Sequence, residues 1–97
     1  MTDRPGVLTV PWFTIETWPE LLKVAADRAT LPDTFVEFEQ IAGGKFDRLR
    51  AQGVPLQKVL ISVAELTAWC RANRCPVDGP GRAAFAAFVA MRRASAH

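Results

Sequence analysis

A chain of 97 residues that is 49% hydrophobic is long enough for one domain with its own core, and a formal net charge of +2 is too small to hold a nucleic-acid backbone unless cations cluster locally. Two cysteines and one histidine exclude a disulfide framework and a four-ligand zinc site. No run approaches the roughly 18 uninterrupted apolar residues of a membrane span. Met1-Thr2-Asp3-Arg4-Pro5-Gly6 opens without the apolar stretch of a leader, so a soluble, cytoplasmic protein with no membrane contact is expected.

Residues 1–6 should be flexible. Val7-Leu8-Thr9-Val10 and Trp12-Phe13-Thr14-Ile15 are rich in β-branched and aromatic residues, which predicts an edge strand or extended arm, broken at Pro11 because proline cannot donate to a ladder. Thr17 and Glu20 have the spacing of a capping box, and Pro19 is acceptable in a first turn. A short helix is therefore predicted from Pro19 to Ala29, with Leu21, Leu22, Ala25, Ala26 and Ala29 as its apolar stripe and Leu31-Pro32 as its stop. Thr34 and Glu37 repeat the box, and Phe35, Phe38, Ile41 or Ala42, Phe46 and Leu49 recur every three or four residues, giving a helix over residues 35–52. Gly43-Gly44 sits in its middle at a cost of about 2 kcal/mol relative to two alanines. The stripe stays in phase across the pair, which favours one helix, bent there and open to another backbone, over two helices with a break. Gly53 is placed for a left-handed residue after the helix, with Val54 and Leu49 spaced for the contact of a Schellman turn.

Val54 to Ile61 is the second strand, and the run Val59-Leu60-Ile61 predicts burial on both faces. Several signals then agree on a helix from Val63 to Asn73. Ser62 and Glu65 form a capping box, Ile61 and Leu66 a hydrophobic staple, Asn73 tolerates a left-handed terminus, and Pro76 forbids continuation. Asp78 caps the last helix and Pro80 lies in its first turn, with Phe85, Phe88, Val89 and Met91 as the stripe. Arg92-Arg93 complement the dipole at its end, and residues 94–97 should fray. The expected architecture is a single α+β domain over residues 1–97: four helices and a two-stranded sheet in two layers. Its expected core is Phe35, Phe38, Phe46, Leu49, Leu60, Leu66, Cys70, Phe85 and Phe88.

Chemistry is sparse. His97 ends a tail that no pocket can orient, Cys70 and Cys75 lack a second ligand pair, and the scattered glycines form no phosphate-cradling loop. Catalytic, cofactor and metal residues are therefore expected to be none, and enzyme function is not expected. If Arg74 instead of Asn73 took the left-handed position, Cys70 and Cys75 would occupy the two touching sites of a Schellman motif, where a disulfide is geometrically conceivable; the expectation remains two reduced, half-buried thiols.

Trp12, Phe13, Trp18 and Trp69 are a heavy aromatic load for so short a chain. They read either as interface anchors or as cover for the sheet. Charge is polarised: Glu16 to Glu39 carries six acids against two bases, and Arg71 to Arg93 five arginines against one acid. The two halves read as two solvated faces of opposite sign, with attraction within the fold or between subunits as the alternative. The last two helices, joined by a short turn, also admit nucleic-acid binding through Arg71, Arg74, Arg82, Arg92 and Arg93, although only Arg82 lies where a recognition helix reads bases.

The half from Val59 to Phe88, with Glu65-Leu66-Thr67-Ala68-Trp69-Cys70-Arg71-Ala72 and then Pro76-Val77-Asp78 before an Ala-, Arg- and Phe-rich helix, resembles short uncharacterised proteins of bacteria with Ala- and Arg-rich proteomes. The resemblance implies a bacterial cytosolic origin and no activity. Glycine is usual in those proteins where Arg74 stands here. The functional expectation is a non-enzymatic protein-interaction module that pairs as a homodimer or with another protein, with nucleic-acid binding as the alternative.

Overall fold

The computed structural model describes residues 7–95, and the expectations for residues 1–6, 96 and 97, His97 included, lie outside them. Two strands, β1 (Leu8–Trp12) and β2 (Leu56–Leu60), pair in parallel. Around them are four α-helices: α1 (Thr17–Val24), α2 (Phe35–Ala51), α3 (Val63–Ala72) and α4 (Gly79–Ser95). A 3₁₀ turn, Arg28–Thr30, precedes α2. The class is α+β, in one compact unit. Among the described residues no helix is long and apolar enough to cross a membrane.

β1 continues through Pro11, contrary to the expected break, and hydrogen-bond parity explains why. Leu8 donates its N–H to the Pro55 carbonyl at 2.9 Å, and the Trp12 carbonyl accepts from the Ile61 N–H at 3.1 Å. Alternate residues of a parallel strand turn their backbone groups to the same neighbour, so Leu8, Val10 and Trp12 face β2 and Pro11 points its nitrogen outward, where no donor is required. The register, Leu8 opposite Leu56 through Trp12 opposite Leu60, puts Leu8, Val10, Trp12, Leu56, Lys58 and Leu60 on one face. Val59 and Ile61 point to the other and are buried, while Leu60 is 57% exposed. β2 thus alternates, and Leu60 leaves the core expected for it. An apolar triplet cannot by itself distinguish two-face burial from alternation with one leucine in solvent.

On the buried face, Phe13, Val59 and Ile61 meet Leu21 of α1, Val63, Leu66 and Cys70 of α3, and Phe85 and Ala86 of α4. On the other face, Phe46 and Phe38 of α2 pack on the Trp12 ring at centroid distances of 6.1 and 5.0 Å. Trp18 stacks on Phe38 at 4.5 Å and donates its indole N–H to the Pro32 carbonyl, tying α1 to the entry of α2. Of the remaining expected core residues, Phe46, Leu66, Cys70 and Phe85 are buried. Phe35, Phe38 and Leu49 are half-buried, and Phe88 lies in the open.

The helix ends follow local rules, with shifts. Thr14 and Thr17 bond reciprocally, each N–H to the other's Oγ1 at 2.8 and 3.2 Å, so the box expected of Thr17 and Glu20 forms one turn earlier. α1 stops at Val24 instead of Ala29 because Ala25 turns extended and Ala26 donates its N–H to the Val77 carbonyl at 2.7 Å. α2 is continuous across Gly43-Gly44; a Cβ at either would meet nothing within 4 Å, so the expected backbone approach there is not made. Gly53, at φ 87°, closes α2 as expected, with Val54 N–H on the Leu49 carbonyl at 3.0 Å and Gly53 N–H on Arg50 at 2.9 Å. Ser62 accepts from the Glu65 N–H at 3.2 Å, and the staple residues Ile61 and Leu66 are both buried. Asp78 Oδ1 accepts from the Gly81 N–H at 2.9 Å, capping α4. A Cβ on Gly81 would collide with the Pro76 carbonyl oxygen, so only glycine fits this turn.

Candidate functional site

The sheet has two strands, so each strand has an outer edge, and the two edges differ. The outer edge of β1 is interrupted by Pro11, and α4 packs against that strand. β2 turns the backbone groups of Leu56, Lys58 and Leu60 outward, since the Ile61 N–H points to β1 and parity alternates. No other strand among the described residues takes them up. Gln57, Lys58 and Leu60 are exposed along this edge. A lysine on an edge strand ordinarily deters a second strand. Here the Lys58 Nζ lies 4.2 Å from the centroid of the Trp12 ring and 4.9 Å from that of Phe46, held by cation–π attraction over the sheet face. The charge is drawn off the edge that it would otherwise guard.

Of the four aromatics expected at an interface, Trp12, Phe13 and Trp18 are 7%, 3% and 2% exposed within their own chain. Their rings form one cluster with Phe38, Phe13 meeting Trp18 edge-on at 5.7 Å, which removes them from any surface a partner could touch. The reading as cover for the sheet describes them. Spacing alone could not decide this, because an aromatic arm folded back and one held out have the same sequence. Trp69 differs: half-buried, it packs on Phe85 and Phe88 at 5.5 and 5.7 Å and lines an open groove of about 630 Å³ between α3 and α4, with Glu65, Arg92 and Arg93 at its rim.

Of the arginines expected to form one face, Arg82 is turned into the fold. Arg82 is 8% exposed and grips Asp27 bidentately, Nη1 to Oδ1 at 2.8 Å and Nη2 to Oδ2 at 2.9 Å. The guanidinium beside it holds the Asp27 carboxyl below its ordinary value. The one arginine placed to read bases is thereby a tie between the loop after α1 and the start of α4, and part of the opposed charge is neutralised inside the fold. Arg71, Arg74, Arg92 and Arg93 are exposed, and Arg92 leans over the Phe88 ring at 5.7 Å.

Cys70 is buried at the end of α3 and Cys75 half-buried just beyond it, both as free thiols. Desolvation pushes the Cys70 thiol up to about 11, and the adjoining Cys75 thiol adds to the shift. Among the described residues no three His, Cys, Asp or Glu side chains gather as metal ligands. No protein-family model, curated protein or solved structure matches this chain.

Proposed function

We propose that this chain is a non-enzymatic interaction module that pairs with a second copy of itself through the outer edge of β2. The observation that carries the reading is the diversion of Lys58 over Trp12 and Phe46, which turns the usual guard away from the outward N–H and C=O groups of Leu56, Lys58 and Leu60, which no strand among the described residues takes up. A two-fold axis joins β2 to its copy in antiparallel fashion and converts two marginal two-stranded ribbons into one four-stranded sheet. An axis at Val59 sets Lys58 opposite Leu60 of the second copy and keeps the two lysines apart, whereas an axis at Lys58 opposes like charges. The exposed Leu60, 57% accessible, then gains an apolar neighbour. Asp27, whose ionisation is displaced by its Arg82 partner, sits in a structural contact, which supports a binding role over a catalytic one.

Amide hydrogen exchange measured residue by residue at increasing protein concentration tests this reading. The Lys58 and Leu60 amides should gain protection with concentration, while the ladder amides of Val10 and Val59 stay protected throughout. Unprotected exchange of Lys58 and Leu60 at every concentration would overturn it.

A further inference from the structure

The end of α3 departs from the residue types that such an end prefers. Arg74 has φ 55°, the only non-glycine residue at positive φ among those described, whereas Asn73, the more tolerant type, stays at φ −99°. The result is a full Schellman motif: the Cys75 N–H reaches the Cys70 carbonyl at 2.9 Å and the Arg74 N–H reaches that of Arg71 at 3.3 Å. Cys70 and Cys75 therefore occupy its two apposed side-chain sites. Of the two thiols, Cys70 is buried and Cys75, half-buried, is the one reachable from solvent.

We propose that Cys70 and Cys75 are a reversible dithiol–disulfide site that reacts with low-molecular-weight disulfides. Cys75 Sγ, as thiolate, attacks one sulfur of the small disulfide and forms a mixed disulfide. One small thiolate leaves and takes up a proton. Cys70 Sγ, giving up its own proton, then attacks Cys75 Sγ, closes the intrachain bond and expels the second small thiol. Two protein thiols lose two electrons and two protons, and the small disulfide gains both as two thiols. Burial of Cys70 keeps it from the first step, and its position beside Cys75 suits it to the second.

The consequence falls on the connection between α3 and α4. Cys75 leads directly to Pro76, whose carbonyl crowds Gly81, and to Val77, whose carbonyl accepts from the Ala26 N–H at 2.7 Å and from Arg82 Nη1 at 3.4 Å. A bond between Cys70 and Cys75 fixes the segment that joins α1, α3 and α4. This site lies on the turn after α3, apart from the β2 edge, so its chemistry stands or falls independently of self-association.

The test is mass spectrometry of the intact folded protein exposed to oxidised glutathione, followed by a dithiol reductant. The wild type should lose about 2 Da, the two thiol hydrogens, without a lasting adduct, and recover them on reduction. Cys70→Ser should stop at a stable glutathione adduct on Cys75, and Cys75→Ser should gain no adduct while folded. Arg74→Gly, which keeps the left-handed turn, should still close the bond. A wild type that keeps the adduct, or that loses the two hydrogens only after unfolding in denaturant, would overturn the proposal.

Discussion

At the residue scale the most informative contact is Arg82 on Asp27, because it converts a surface-reading cation into a clamp across 55 positions of sequence. Truncation by Arg82→Ala leaves a partly buried carboxylate without its partner and should cost about 2 to 3 kcal/mol, read by urea denaturation. The ionisation of Asp27 fixes the sign of the pH effect. Its folded value lies below the ordinary 3.8, so the stabilisation is fully present above that value and lost as the pH falls through the depressed one. Asp27→Asn should therefore be less stable than the wild type at neutral pH and show a flatter loss of stability in acid. An acid limb as steep as the wild type's would remove Asp27 from the account. Asp78 as the cap of α4 was legible in the sequence, since a cap lies within three residues of its donor. The role of Arg82 was not, because periodicity carries no information about a partner on a distant loop.

At the element scale, what the sequence made legible were structures closed by local bonds. The caps at Thr34 and Ser62 and the Gly53 turn stand where spacing put them, because each needs only its own few residues. Two ends that spacing missed are set from afar. α1 is cut short by the bond from Ala26 to Val77, and β1 survives Pro11 because β2 determines which way its backbone points. The latter makes a sharp prediction about position. Pro11→Ala should leave thermal stability nearly unchanged, whereas Val10→Pro removes an N–H that faces β2 and should cost more than about 1 kcal/mol, the net worth of one ladder bond. Equal costs at the two positions would mean that the parity assigned to β1 is wrong. The Schellman end of α3 was half-legible: Cys70 and Cys75 have the required spacing, but which of Asn73 and Arg74 turns left-handed depends on the route to Val77.

At the scale of the whole molecule, the α+β class followed from alternating helix and strand signals, but the sheet's order and direction did not. Parallel pairing of β1 with β2 rests on contacts between segments 48 positions apart, and those contacts decide which side chains are free to meet a partner. Trp12 illustrates this. It is 7% exposed because α2 returns along the sheet, and the same helix supplies Phe46, over which Lys58 folds. Self-association, if centred on β2, is thus a product of the tertiary fold and not of an aromatic arm. An edge of five residues buries little area, so the dimer should be weak, with a dissociation constant on the order of tens of micromolar. Sedimentation equilibrium over a series from low to high micromolar protein decides whether β2 pairs with its copy. The mass should rise from 10.7 kDa toward twice that value for the wild type and stay at 10.7 kDa for Leu60→Lys, which adds an unguided charge to the edge. A wild-type mass fixed at 10.7 kDa up to high micromolar concentration, or an undiminished dimer in Leu60→Lys, would contradict it.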